Sequence, residues 1–503
     1  MPPDASQQKQ LHALLRKLSN AIDSGYAAQA LAKLNQLHAK SPRDVNILTL
    51  LARANAKMGR HPETIEAYAK ASGLMPRDAD LHFKLATALQ RGGRYEDALL
   101  EYERALYNDP KHFFAQRHKT SVLTDLNRLD DADRTLKALE EQVVHEDLSH
   151  DLRLGLAISA ARLAPGVRDA SECIDGIREH IGHAGEKSML TAGYYQMGRL
   201  HHLLKQHDEA FACFKACKEV EKDQWDPEAH SARVDRLIGC WCGDEAIPFS
   251  EIDGSRLVFI VGMMRSGTSL TEQMLAQIPS VTPGGELNAI SRQISEIETT
   301  KMRHGRPMPV TRGLYTQPRL RTMAAAAMAW YDRVAATGTV TDKQPYNHAY
   351  VPLIAHMSPG CRFIHCVRDP LDCCLSNFTQ SFSRPHMQTH DLYWLGRYYA
   401  DYERMMAAWH TLDEVEMIDL HYERLVSDPE GQARRVVEFL GLPWSDDILR
   451  FHESDRTVST ASRDQVRKPL YTTAVAKHKP FEPHLDELKR GLQDGRARGG
   501  GAA

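Results

Sequence analysis

Gly25, Gly59, Gly93 and Asn127 stand 34 residues apart, and Pro42, Pro76 and Pro110 keep the same interval. Arg60, Arg94 and Arg128 follow in phase, as do Ala30, Ala98 and Ala132, and Tyr68 with Tyr102. A period of this length holds one pair of helices. Small residues sit where the helices cross, Gly or Asn permits the left-handed turn between them, and Pro stops the unit. One pair cannot bury its own apolar face, so successive copies must stack. A further copy is legible at Tyr194, Met197, Gly198, Ala210, Phe214 and Cys217, whereas residues 145–190 are helical in pattern but degenerate in spacing. The spacing predicts an α-solenoid over residues 1–230, of roughly five or six helix pairs. Its concave surface is either a groove for a peptide or protein partner or only a scaffold for the rest of the chain or for self-association.

Beyond residue 250 the rhythm changes. Leu257–Val261, Thr339–Thr341, Cys361–Val367 and Val415–Leu420 read as strands, short and rich in apolar or β-branched residues. Between and after them, helices are predicted at Thr268–Gln277, Tyr346–Met357, from Pro370, over 391–412 and over Pro429–Leu440. Such alternation predicts a parallel sheet covered by helices on both faces, over residues 250–490. The Gly-rich end, 491–503, is expected to be disordered.

Composition narrows the function classes. A chain of 503 residues, 42% hydrophobic and 26% charged, is an ordinary globular chain too long for one core. Its net charge of −3 gives no global basic field for nucleic acid or lipid. The N-terminus lacks an apolar leader core, and no later stretch is long and apolar enough to span a bilayer, so a cytoplasmic protein is expected. Nine scattered cysteines, an odd number, suit reduced thiols. Neither Cys240-Trp-Cys242 nor Cys213-x3-Cys217 has a second well-spaced Cys/His pair, so no metal site is expected.

The chemistry concentrates in Arg256 to Leu275, where a β-branched run ends at Gly262, a polar turn follows and a helix begins near Thr268. A strand–loop–helix of this kind offers backbone N–H groups and a helix dipole to an anion. Gly262-x4-Gly267-Thr268-Ser269 has the spacing of a nucleotide phosphate loop, but Thr268 stands where a triphosphate-binding lysine belongs, and the cation comes earlier, as Arg265. A kinase or NTPase of the P-loop class is therefore the less favoured alternative.

Arg265-Ser-Gly-Thr-Ser269 resembles the 5′-phosphosulfate loop of sulfotransferases that use 3′-phosphoadenosine 5′-phosphosulfate (PAPS). Phe363 to Pro370, with Ser376 eight residues after Arg368, resembles their 3′-phosphate site. His421 to Val426, Gly441 to Trp444 and Ser462 to Pro469 are similar, more narrowly, to tyrosylprotein sulfotransferases and their bacterial relatives fused to tetratricopeptide repeats, the family whose 34-residue unit matches the first half. The resemblance covers residues 255–480. It implies PAPS as co-substrate without an obligatory metal, bound by Arg265, Ser266, Gly267, Thr268, Ser269, Arg368, Ser376, Tyr422, Ser462 and Lys477. It implies Glu286 as catalytic base, Lys343 near the bridging oxygen and Ser462 on the same phosphosulfate. These residue types suit such roles, with a planar cation and hydroxyls for a dianionic phosphate, a carboxylate to take a hydroxyl proton, and an ammonium to offset charge on the leaving oxygen. Gln380 stands where tyrosylprotein enzymes carry an Arg, and Leu287, Asn288 and Ala289 replace charged neighbours of their base. The acceptor expected is a tyrosyl hydroxyl on a peptide or protein, with a carbohydrate or small-metabolite hydroxyl as alternative.

Overall fold

The computed structural model describes residues 5–244, 246–294, 312–382, 386–453 and 475–499. The chain forms two compact units, Met1–Lys205 and Gln206–Ala503.

The first unit is helical. Its helices are α1 (Ala5–Asp23), α2 (Ala27–Lys40), α3 (Val45–Lys57), α4 (His61–Leu74), α5 (Ala79–Arg91), α6 (Tyr95–Asn108), α7 (Phe113–Asp125), α8 (Leu129–Val143), α9 (His150–Leu163), α10 (Ala170–Ile181) and α11 (Lys187–Leu203). The period is visible as repeated geometry. Gly25, Gly59, Gly93 and Asn127 all have positive φ, between 60° and 89°. Each turn is closed by the same bond across five residues: Tyr26 to Ala21 O, Arg60 to Asn55 O, Arg94 to Leu89 O and Arg128 to Leu123 O, at 2.8–2.9 Å. This is the Schellman closure that the spacing predicts. Ala98 and Ala132 are fully buried at the helix crossings.

The second unit begins earlier than the expected boundary at 230, because α12 (His207–Glu221) and α13 (Pro227–Trp241) bury their inner faces within it. Phe211 stacks on Phe378 and His484, Lys218 Nζ donates to Gln380 O at 2.7 Å, and Ser231 Oγ donates to Asp401 at 2.6 Å.

Five parallel strands follow: β1 (Leu257–Gly262), β2 (Val281–Pro283), β3 (Thr339–Asp342), β4 (Arg362–Val367) and β5 (Glu416–His421), in the spatial order β2-β3-β1-β4-β5. β1 is buried at every residue, as a central parallel strand must be. Alternate side chains serve opposite faces. Val258 and Ile260 join Ile364, Leu420, α14 (Thr268–Leu275) and α20 (Pro429–Phe439) in one core. Phe259 points the other way, stacking on Phe363 at 5.5 Å and meeting Tyr331 of α15 (Gln317–Val334) edge-on. The remaining helices are α16 (Val351–Met357), α17 (Pro370–Phe378), α18 (Leu392–Trp409), α19 (Tyr422–Ser427) and α21 (Asp486–Gly499). From β1 the chain runs out to β2 and then works back, crossing β1 between β3 and β4, so the loops leaving β1 and β4 diverge at the carboxyl edge, where open α/β sheets bind ligands.

The tail corrects an expectation. Residues 491–499 continue α21 instead of being disordered, and 500–503 lie outside the described residues. Gly491 lies against the Tyr393 carbonyl and Gly396 of α18 against the Leu488 carbonyl, close approaches that any side chain would block. A glycine-rich composition that reads as disorder here serves helix packing. No helix among the described residues is long and apolar enough to cross a membrane.

Candidate active site

The loop after β1 is shaped by three positive-φ residues, Gly262 (150°), Arg265 (68°) and Gly267 (112°). A Cβ at Gly262 would stand 2.6 Å from Cys366 O and 2.8 Å from Ser266 Oγ, so the loop can press on β4 only with glycine there. At Gly267 it would meet the Tyr422 ring at 3.0 Å. Asn377 of α17 donates to Met264 O at 2.7 Å and fixes the outer side of the turn. Gly267 caps α14 with no side-chain acceptor, so the first-turn amides are offered to whatever lies in the loop. Ser266, Thr268 and Ser269 are all buried, and Ser266 Oγ has no protein partner among the described residues.

The residues expected to hold the two ends of a nucleotide are neighbours. Arg265 Nε donates to Ser376 Oγ at 3.1 Å, and Arg368 Nη1 donates to Arg265 O at 2.9 Å. The Arg368 guanidinium lies 4.7 Å from the centre of the Tyr422 ring, and Tyr399 OH donates to Arg368 O at 2.7 Å. Arg368 is only 7% exposed. Asp369 caps α17 by accepting from Asp372 N at 2.9 Å, and its own N–H donates to Glu423.

Glu286 and Lys343 also come together, with Lys343 Nζ 2.6 Å from Glu286 Oε1. Lys343 follows β3 and its side chain is 1% exposed, whereas that of Glu286, in the turn after β2, is 46% exposed. The buried ammonium thus holds a carboxylate that still reaches solvent. Next to the pair, burial pushes the Asp342 carboxyl up to about 7, against the hydrogen bond that Tyr331 OH donates at 2.8 Å.

Two residues escaped the sequence reading. Glu272 of α14 is buried and accepts from Gly285 N (2.8 Å) and Thr341 Oγ1 (3.0 Å), which binds the phosphate-loop helix to the Glu286 turn. Its helix is buried on every side, where a charge needs partners, and that burial is visible only in the fold. Asp372, one turn before Ser376, accepts from Ala476 N (2.6 Å), His478 N (2.8 Å) and the His478 ring (2.8 Å). The segment carrying Lys477 is thereby pinned to α17, and nothing local in the sequence links positions 372 and 477. Asp372→Ala is expected to speed amide exchange at Ala476 and His478 at least about tenfold by hydrogen–deuterium exchange, since two half-buried amides lose a charged acceptor. Unchanged exchange there would remove the anchor. Ser462 lies outside the described residues.

Two clusters bring three metal-capable atoms within 4.8 Å: His365–His410–Asp419 and Asp369–Asp372–His478. Hydrogen bonds account for both, with His365 and His410 sharing Asp419 Oδ1 at 2.8 and 2.9 Å.

A cavity of about 500 Å³ opens beside the pair, bounded by Asn288 and Gln344 and walled by Tyr346, Tyr398, Tyr402 and Trp225. Burial pushes His230 and His348 in its wall down to about 4, so both are neutral at pH 7, and Arg233 is the one permanent charge among the described residues of its lining.

Residues 258–446 match the family model "Sulfotransferase family", 192–224 match a tetratricopeptide repeat, and 43–108, the α3–α6 pairs, match a bacterial transcriptional activator domain. An uncharacterised protein of Aquifex aeolicus is 33% identical over 302 residues, covering 58% of this chain and 40% of that protein. Protein-tyrosine sulfotransferase A of Caenorhabditis elegans is 26% identical over 259 residues, covering 47% of this chain and 67% of the relative. Protein-tyrosine sulfotransferase 1 of Danio rerio is 27% identical over 252 residues, covering 46% and 67%. The chain thus spans less than half of the Aquifex protein and about two thirds of the two animal ones. The domain built on the parallel sheet is thus similar to the sulfotransferase family over residues 258–446, with a tetratricopeptide-repeat match ahead of it.

Proposed function

We propose that the second unit transfers a sulfuryl group from PAPS to an acceptor hydroxyl, with a tyrosyl side chain of a peptide or protein as acceptor. The observation that carries this reading is the Glu286–Lys343 pair, 2.6 Å apart, on the same sheet edge as the linked Arg265, Ser376 and Arg368. The pocket chemistry fits the co-substrate. The orphaned Ser266 hydroxyl and the uncapped start of α14 suit an anionic phosphosulfate, and Arg368 with Ser376 suits a phosphomonoester of about two charges. Bound there, PAPS supplies the sulfuryl group and departs as adenosine 3′,5′-bisphosphate.

The chain's own residues do the rest. Glu286 accepts the acceptor's hydroxyl proton and returns it to solvent as the acceptor oxygen bonds to sulfur. Lys343 orients that carboxylate and sets a cation where charge grows as the S–O bond to phosphate breaks. Tyr422 backs both Gly267 and Arg368, and the clasp on Asp372 brings up Lys477. Ser462 joins the phosphosulfate contacts by resemblance.

The aromatic walls and neutral histidines of the adjoining cavity favour a phenol. Its amides, Asn288, Gln344, Asn347 and Gln388, keep a polyhydroxyl acceptor as the second reading. A cytoplasmic setting and a polypeptide partner on the repeats complete the proposal. Adenosine 3′,5′-bisphosphate at a hundred times its Kd should stabilise the protein by about 2.7 kcal/mol, with ATP well below that. Equal stabilisation by Mg-ATP would sink the cofactor assignment. Label from 35S-PAPS should enter tyrosine-containing peptides, and label confined to glycans or metabolites would move the acceptor to the second reading.

A further inference from the structure

The first unit has a cavity of its own, about 360 Å³, lined by α1, α3, α4 and α5. That lies within the range of ~300–1,000 Å³ typical of binding clefts. Its lining includes four cations, Arg53, Lys57, Lys84 and Arg91, and no carboxylate among the described residues. Arg53 is engaged, donating to Ser19 Oγ (2.9 Å) and Asp23 (2.7 Å). Lys57, Lys84 and Arg91 make no hydrogen bond or ion pair among the described residues, although Lys57 and Arg91 are exposed and surface cations elsewhere in the unit are repeatedly paired.

The arrangement follows from the period. Lys57 and Arg91 are 34 residues apart, so consecutive repeats place a cation at the same point of the first helix of each pair. Arg53 lies one turn before Lys57 on α3, and Lys84 lies two turns before Arg91 on α5, so each helix presents a basic stripe to the cavity. The rings of Tyr68, from α4, and Phe83, from α5, line the same cavity. The positive field reaches the next repeat. His118 of α7 is pushed down to about 4, by burial first and then by Arg117, Arg91 and Arg162. Unpaired cations flanking aromatic rings in a concave space match a segment that alternates carboxylates with apolar side chains.

We infer that this groove of the repeat unit binds an extended acidic polypeptide segment, its carboxylates held by Lys57, Lys84 and Arg91 and an apolar side chain set between Tyr68 and Phe83. The inference names the chemistry of the repeats' polypeptide partner and stands apart from the sulfuryl-transfer step, because binding alone tests it.

The test is fluorescence anisotropy with the full chain and a labelled peptide of alternating Glu and Leu, against a Lys-Leu and a Ser-Gly peptide of equal length. The acidic peptide should bind at about 50 mM salt at least about tenfold tighter than either control and weaken as salt rises. The double variant K57E/R91E, at two exposed positions, should lose at least about tenfold of that affinity while keeping its thermal transition, and the milder K57Q/R91Q should fall between. Arg368→Ala, by contrast, should leave peptide affinity alone, which separates this groove from the nucleotide site. Equal binding of all three peptides overturns the inference. So does undiminished binding by folded K57E/R91E, or a single-stranded oligonucleotide of equal length displacing the peptide at lower concentration than unlabelled peptide does.

Discussion

Glu286→Gln is expected to lower turnover at least about 10²-fold while leaving affinity for adenosine 3′,5′-bisphosphate within about twofold. Gln keeps the size of the side chain and an oxygen for Lys343 Nζ, which now bonds Glu286 Oε1 at 2.6 Å. What it removes is the capacity to accept a proton. The backbone of the turn stays, because it is held independently: Gly284 N donates to Thr341 O, Gly285 N to Glu272, and Lys343 N to Gly285 O. None of these bonds involves the Glu286 carboxylate. The nucleotide contacts proposed for Arg265, Arg368 and Ser376 belong to other loops, so calorimetry with the bisphosphate and steady-state turnover should separate. Unchanged turnover removes Glu286 as base. A parallel fall in turnover and affinity assigns it to binding instead. Glu286→Asp should restore part of the rate, since it returns a base at a shorter reach.

How much of this was legible before the fold depended on the range over which each signal acts. The repeat turns were, because Gly25, Gly59, Gly93 and Asn127 are chosen for a backbone angle set within five residues, and the structure gives all four that angle. β1 was, because a strand buried on both faces must be apolar throughout, and β4 was through Phe363, Ile364, Cys366 and Val367, although it also carries Arg362 and His365. β2 was not. Its three residues gain their state only from pairing with β3, which lies more than fifty residues further along the chain. α12 and α13 carry the repeat's helical pattern, yet their buried faces answer to Phe378, Gln380 and Asp401, which no period reveals. The sheet edge likewise decides the site. Residues drawn from 265, 286, 343, 368 and 376 form one locality because β2, β3, β1 and β4 lie side by side and parallel. Glu272 and Asp372 could be seen only then, since a buried carboxylate between two loops has no local signature.

The other large effect is expected at Arg368, where Ala should weaken adenosine 3′,5′-bisphosphate binding by about 10- to 10²-fold, the range of one charged hydrogen-bonding group worth roughly 1.5–3 kcal/mol. The position does more than present charge. Its Nη1 donates to the Arg265 carbonyl at 2.9 Å, which supports the positive φ of 68° that turns Arg265 toward Ser376. Its guanidinium lies over Tyr422, whose ring also closes on Gly267. A planar fork can serve the carbonyl, the ring and a phosphate at once, whereas an ammonium has no plane to stack. Arg368→Lys should therefore recover only part of the loss, although it keeps the charge. Ser376→Ala, removing one neutral hydroxyl, should cost about tenfold or less. Calorimetry with the bisphosphate ranks the three. Unaltered affinity in Arg368→Ala takes this residue out of the site. Full recovery by Lys reduces its role to a point charge, leaving the position of Arg265 to be explained by the loop glycines and Asn377 alone.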